Sequence, residues 1–219
     1  MDERAPRRTG AVPVDPQDAA LWCATTDSVQ LQIGAICRFD GAGLRDADGA
    51  VLVDDLRAHV ASRLHLLPRF RSVLHRVPLD LARPVWVDDT DFDLERHLWT
   101  GTVRSPGGPD ELQRVVAELF SRPLDIAHPL WELAALDGLA DGDVAVVLRA
   151  SHVLADGLSL LRAATALLDV EPVADTPPPV PWRPTRRPST AVLLAEQVAA
   201  RRRRQVDLGV AAARRRRDQ

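Results

Sequence analysis

Apolar positions recur along the chain at two spacings, on alternate residues and on every third or fourth, and these mark strands and helices respectively. Residues 29–39 alternate Val29, Leu31 and Ile33 with Gln30, Gln32 and Gly34 before turning fully apolar, which predicts a strand. Residues 51–67 place Val51, Leu52, Leu56, Val60, Leu64 and Leu67 at helical spacing, and Pro68 stops that helix. Its His59 and His65 read as part of the helix face. Two strands are expected at 70–77 and 84–87, around a turn at 78–83. A helix is predicted over 109–120, where Pro109, Asp110 and Glu111 suit an N-terminus and Leu112, Val115, Val116 and Leu119 share a face. A strand then runs through Leu136. The sequence Asp137-Gly138-Leu139-Ala140-Asp141-Gly142 makes a hairpin turn, and the apolar stretch 143–149 returns antiparallel. A helix over 158–168 follows. Near the start, residues 13–22 put Pro16 and Asp18 ahead of Ala19, Ala20, Leu21 and Trp22, which predicts a short helix with a docking hydrophobic end.

This order implies an α/β (α+β layered) fold with a mixed sheet backed by helices. The division expected is a polar, disordered 1–12, a folded domain over 13–170, a Pro-rich linker over 171–188 and a basic helix over 189–219. The linker contains Pro177-Pro178-Pro179 and Trp182 and reads as an extended spacer rather than core. Ser189 is placed to cap the last helix, which carries arginine blocks at 201–204 and 214–217.

Length and composition fit one good core: 219 residues, 46% hydrophobic. No apolar run is long enough to span a bilayer, and no secretory signal is visible at the start, so the expected location is cytoplasmic, with peripheral membrane contact as a variant. The net charge of -3 hides a division, since residues 1–182 carry a net -11 and residues 183–219 a net +8. All 28 basic residues are arginine, and the absence of lysine excludes Schiff-base chemistry. Cys23 and Cys37 show neither metal-ligand nor disulfide spacing and read as small buried hydrophobes. No metal site is expected: the Gly/Asp-rich loop at 40–49 fits no calcium template. Asp88, Asp89, Asp91 and Asp93 read as a solvated acidic loop with helix-capping members. His97 falls in the connection beyond it.

Candidate chemistry gathers where the returning strand ends, in Leu148-Arg149-Ala150-Ser151-His152-Val153-Leu154-Ala155-Asp156-Gly157. A histidine at the exit of a buried strand is held by the sheet and can aim one ring nitrogen into a cleft. An imidazole suits the acceptance of a hydroxyl proton near neutral pH. Asp156 is placed to cap and brace the following helix, and Gly157 to permit a sharp turn. His-x-x-x-Asp-Gly would arise by chance in roughly three or four of a hundred chains of this length and composition, so it needs a companion.

The companion is Pro123-Leu124-Asp125-x-x-x-Pro129-Leu130-Trp131-Glu132, about 20 residues upstream, with Pro84-Val-Trp-Val-Asp88, Phe92-Asp-Leu-Glu-Arg-His97 and Leu67-Pro-Arg-Phe-Arg71 before it. Together these resemble the N-terminal half of the bacterial wax ester synthase/diacylglycerol acyltransferase family, within the CoA-dependent acyltransferases of chloramphenicol-acetyltransferase-like fold. The likeness runs from about Pro13 to the end. It implies a chloramphenicol-acetyltransferase-like half-domain followed by a linker helix. It also implies transfer of a fatty acyl group from acyl-CoA to the hydroxyl of a diacylglycerol (triacylglycerol synthesis) or a long-chain alcohol (wax ester synthesis), with acyl-CoA as substrate and no cofactor.

The family motif is His-His-x-x-x-Asp-Gly, and its second histidine falls on His152, the implied general base. Ser151 stands where the family has its first histidine. Asp156 is implied to turn from the substrate and hold the loop through a salt bridge with an arginine, and Gly157 to allow the turn; Pro123, Leu124, Asp125, Pro129, Trp131 and Glu132 make the structural motif. The resemblance also implies a second half that completes the tunnel around the histidine, and the chain ends in the helix that would lead to it, so a truncated architecture is expected. The alternative is a catalytically inactive half-domain that binds acyl lipid, a membrane surface or a separate C-terminal half. Val192, Leu193, Val198, Val206, Leu208 and Val210 among the arginine blocks suit an interdomain helix or an anionic membrane surface. Nucleic acid is not expected, because stacking aromatics are absent there and tyrosine is absent throughout.

Overall fold

A computed structural model describes residues 10–26, 29–77, 83–169, 178–195 and 198–199. Its centre is a four-stranded sheet in the order β2-β7-β6-β5, made of β2 (Gln32–Phe39), β5 (Leu98–Thr102), β6 (Trp131–Asp137) and β7 (Val144–Ser151). β6 and β7 form the expected antiparallel hairpin, with Leu136 opposite Ala145 and Trp131 opposite Ala150. Gly138 and Gly142 take the left-handed backbone of its turn. Every residue of β7 is buried. That explains its unbroken apolar run: a strand covered on both faces has no polar phase. β2 pairs antiparallel with the other side of β7 and, as an edge strand, keeps its alternation.

β5 was not foreseen in the sequence, because Leu98-Trp99-Thr100-Gly101-Thr102 is short and contains a glycine. It runs parallel to β6, and α3 (Pro109–Ser121) makes the crossover that parallel strands require.

Helices cover both faces of the sheet. Leu133, Ala135, Val146, Leu148 and Ala150 face α2 (Val53–Arg63) and α4 (Gly157–Leu167), meeting Val60, Leu160, Ala163 and Leu167 in the main core. Ala134, Leu136, Ala145 and Val147 face α3 and pack with Leu119, Leu112, Val115, Val116 and Phe120. α1 (Pro16–Ala24) starts with the Asp15 side chain accepting from the Gln17 N–H and lays Ala19, Leu21 and Trp22 on the main core, as its sequence predicts.

A second sheet of three strands, β1 (Val12–Pro13), β4 (Val85–Asp88) and β3 (Ser72–His75), has the order β1-β4-β3. Its Val73, Val85 and Val87 pack against Leu193. The linker and last helix therefore touch the body where they are described. Trp182 meets Phe92 edge-on at 6.1 Å, and Leu193, in the helical stretch 190–195, is 1% exposed. Both arginine blocks of the last helix lie outside the described residues.

Three further expectations are corrected. Cys23 is exposed and Cys37 only partly buried. Asp89 is buried, although Asp93 caps a short 3-10 turn as expected. His59 is more than a helix face: with Arg63 it reaches Asp169, at 3.2 and 2.6 Å. Among the described residues, no helix is long and apolar enough to cross a membrane.

Candidate active site

His152 leaves the central strand directly. Its backbone N–H donates to Leu31 O at 2.8 Å, and that of Ser151 donates to Leu130 O at 2.9 Å, so both neighbours of β7 fix the strand end. The chain then folds tightly. Leu154 and Ala155 N–H donate to Ser151 O, at 2.9 and 3.2 Å, and Val153 N–H donates to Ser151 Oγ at 3.3 Å. Val153, Leu154 and Ala155 are each buried and pin the turn to the core. The Ser151 side chain is thus engaged in shaping the turn. The His152 ring has its Nδ1 enclosed without a hydrogen-bond partner, while the residue keeps part of its surface exposed. The accessible edge is accordingly the Nε2 side.

Asp156 is the N-cap of α4, its carboxylate accepting from Ser159 N at 2.7 Å. That hydrogen bonding holds its carboxyl below the ordinary value, with the nearby His152 and Arg162 acting in the same direction. Among the described residues it forms no ion pair, so the salt bridge implied by the resemblance gives way to a cap. Gly157 sits in the first turn of α4 with ordinary helical backbone, and a Cβ there would meet nothing within 4 Å. Its lack of a side chain leaves open space beside the histidine loop and relieves no backbone strain.

Asp18 of α1, half-buried, joins this group. Burial raises its carboxyl above the ordinary value, as do Asp15 and Asp156, while Arg69 and His152 act to lower it. Sequence reasoning treated Asp18 as a helix-start residue, and only the packing of α1 brings it here.

The upstream motif builds the support. Trp131 is fully buried and donates from Nε1 to Phe70 O at 2.7 Å. Phe70 packs on one side of it, ring centres 5.1 Å apart, and His97 stacks at 4.7 Å. His97 Nδ1 donates to Trp131 O at 2.8 Å, and burial holds the ring below its ordinary proton affinity. Glu132 accepts from Arg149 Nε and Nη2, at 3.1 and 2.8 Å. Arg149, 4% exposed, also donates to Gln32 Oε1 at 3.0 Å, to Arg122 O at 2.9 Å and to Leu119 O. Asp125 accepts from Ala127 N, Leu124 is buried, and Pro129 O accepts from Trp131 N, while Pro123 lies just past the end of α3. Arg149 and His97 fall within stretches singled out in the sequence, but their roles, the buried clamp and the ring stacked on Trp131, were missed there. Among the described residues no cluster of three His, Cys, Asp or Glu could hold a metal ion. A surface groove of about 320 Å³ between α3 and β2, lined by Ile36, Leu112, Val116 and Leu139, lies away from His152.

Residues 14–218 match the family model described as the wax ester synthase/diacylglycerol acyltransferase catalytic domain. The chain belongs to that family. A Mycobacterium tuberculosis protein named as a diacylglycerol O-acyltransferase is 35% identical over 158 residues, covering 71% of this chain and 57% of the relative. A second M. tuberculosis protein so named is 38% identical over 141 residues, covering 64% and 29%. The solved wax ester synthase/diacylglycerol acyltransferase from Marinobacter aquaeolei VT8 superposes with a TM-score of 0.63 at 27% identity, covering 76% of this chain and 39% of that one. The starter condensation domain of rhizomide synthetase RzmA shares the fold alone, with a TM-score of 0.56 at 13% identity. The chain thus spans 57%, 29% and 39% of the lengths of these three relatives.

Proposed function

We propose that the chain carries the proton-transfer half of an acyl-CoA-dependent O-acyltransferase that esterifies the hydroxyl of a diacylglycerol or a long-chain alcohol, with His152 as general base. The observation that carries this reading is the placement of His152, clamped through the backbone by both neighbouring strands and presenting its Nε2 edge. The acceptor's hydroxyl proton passes to Nε2 as its oxygen bonds to the thioester carbonyl carbon. The imidazolium then returns the proton to the departing CoA thiolate, so no acyl-enzyme and no cofactor is needed. Asp156 and Ser151 act on the loop, not on the substrate. The names of the relatives support the acceptor class.

A second reading follows from coverage. Relatives of this family extend well beyond the matched residues, so the remaining walls around the acyl and acceptor chains are proposed to come from a further part, separate or continuous. On this reading the described domain alone binds acyl lipid or a membrane surface without turnover.

One assay separates the two: thiol release from palmitoyl-CoA with dioleoylglycerol or hexadecanol, the product identified as triacylglycerol or wax ester, for the chain and for His152→Ala. Acceptor-dependent product lost in the variant is expected. A folded sample that makes no product, alone or supplied with the C-terminal part of a relative, would overturn the enzymatic reading.

A further inference from the structure

The end of the molecule bearing the three-stranded sheet has a charge pattern that the acyl-transfer reading does not use. Residues 69–76 and 182–189 contain six arginines and no acid, within a body that is otherwise acidic. The two segments meet. Trp182 lies over the Arg71 guanidinium, 4.5 Å from cation to ring centre, Thr185 N–H donates to Asp88 Oδ2 at 2.8 Å, and Arg187 is within electrostatic reach of His75. Residues 182–187 therefore run along the β3–β4 pair, where Asp88 stands opposite Ser72.

Arg71 is the anomaly. It is 8% exposed, yet among the described residues its side chain has no hydrogen bond and no ion pair, and its Nε is enclosed without a partner. Burial pushes its proton affinity down, and Asp88, which acts against this, already accepts from Thr185. A desolvated guanidinium is ordinarily paired. Trp182 covers its flat face, which leaves the in-plane N–H donors free along the edge, the direction in which a guanidinium grips an oxyanion. Arg183, Arg186 and Arg187 stand exposed on the segment that carries Trp182.

We propose that Arg71, roofed by Trp182 and with Arg183, Arg186 and Arg187 exposed on the segment that carries that ring, is a binding site for a phosphate-bearing anion. A buried guanidinium fork with further arginines on the adjoining segment suits a group that offers several anionic oxygens. The same chemistry is offered by a soluble phosphate compound and by the headgroup of an anionic lipid.

The test uses the full chain in two arms: calorimetric titration with inorganic pyrophosphate, and sedimentation with phosphatidylglycerol or phosphatidylcholine vesicles. The variants are Arg71→Gln and the triple exposed change Arg183→Gln/Arg186→Gln/Arg187→Gln. Saturable pyrophosphate binding or preferential binding to phosphatidylglycerol, weakened about tenfold or more in each variant, is expected, since each lost charge-assisted bond contributes that much. Binding in the first arm alone identifies a soluble ligand, and binding to vesicles alone a headgroup. Should Arg71→Gln not fold by circular dichroism, the triple variant decides. Absence of binding in both arms overturns the site, as does affinity unchanged in the folded variants, which would place the anion on the arginine blocks at 201–204 and 214–217. Neither arm requires turnover, so failure here is distinct from failure of the acyltransferase reading.

Discussion

Glu132→Gln keeps the shape of the side chain and removes the charge facing Arg149. The pair closes at 2.8 and 3.1 Å on one carboxylate oxygen, with Arg149 4% and Glu132 25% exposed at the side chain. At about 3 Å and an effective dielectric of about 20, the attraction is about 5 kcal/mol before desolvation is subtracted. Removing one partner of a buried pair costs about 3–5 kcal/mol. Here the Gln amide oxygen still accepts, and Arg149 keeps Gln32, Leu119 and Arg122 as acceptors. The expected loss is therefore about 2–3 kcal/mol, at or below the low end of that range. Arg149→Met should cost at least as much, because it leaves the Glu132 carboxylate and Gln32 Oε1 without their donor, while Leu119 O and Arg122 O keep only the Arg122 N–H and Gln32 Nε2. Urea unfolding at pH 7 of the wild type, both single variants and the double variant reads the coupling, expected at about 2 kcal/mol. A Glu132→Gln chain within about 0.5 kcal/mol of wild type, or single effects that simply add, would refute the clamp.

His97 is buried with its proton affinity below the ordinary value, so the unfolded chain takes up the proton first as pH falls below about 6.5. Its contribution is fully present above that pH and is lost on the way down through the folded value; urea midpoints at pH 7.5 and 5.5 should show the fall, and a smaller one in His97→Gln. His59 and His75 are shifted the same way, so part of the fall should remain. Two glycines should behave oppositely in thermal unfolding. Gly157→Ala, with open space at the Cβ, should stabilise by about 0.5 kcal/mol. Gly34→Ala, whose Cβ would stand 2.2 Å from the Phe120 ring and 3.0 Å from Leu148 O, should cost about 1–3 kcal/mol. Asp156→Ala should lower the melting temperature where Asp156→Asn does not, since an amide oxygen still caps α4; equal losses would mean that the charge, and not the cap, matters.

The central hairpin was legible because its turn chemistry and apolar run agree, and its register was implicit as well. Counting outward from the turn places Glu132 opposite Arg149, which the structure shows. A buried arginine could thus have been inferred from a lone charge inside an apolar strand with an acid at the matching position. β5 was hidden by its length and by Gly101, and is specified by the partner strand β6 rather than by its own pattern. Asp18 comes within electrostatic reach of His152, and Arg69 within reach of Asp18, through the packing of α1 and of the turn at Pro68–Arg71, proximities across long stretches of sequence that no local periodicity encodes. Arg71 and Trp182 are another such pair, since composition alone marks the proline-rich stretch as a spacer.

Side-chain alternation along β7 explains how a charge can stand so near the histidine without disturbing it. Val144, Val146, Leu148 and Ala150 face α2 and α4, while Ala145 and Val147 face α3. Arg149 shares the α3 phase, and there the end of α3 presents the Leu119 and Arg122 carbonyls, which carry the negative end of its dipole and accept from the guanidinium in addition to the Arg122 N–H and Gln32 Nε2. The guanidinium thus supplies what that helix end needs, and it ties α3, β2 and β6 to β7 three residues before His152. The position of the imidazole is set by backbone bonds to Leu31 and Leu130, one from each strand so tied. Loosening the clamp should therefore displace the histidine although neither Glu132 nor Arg149 touches it, and displacement on the order of 1 Å is enough to cost about a hundredfold in rate. A Glu132→Gln chain that stays folded but turns over slowly, with its KM for palmitoyl-CoA unchanged, is the signature of positioning. A raised KM with kcat intact would assign Glu132 to substrate binding instead.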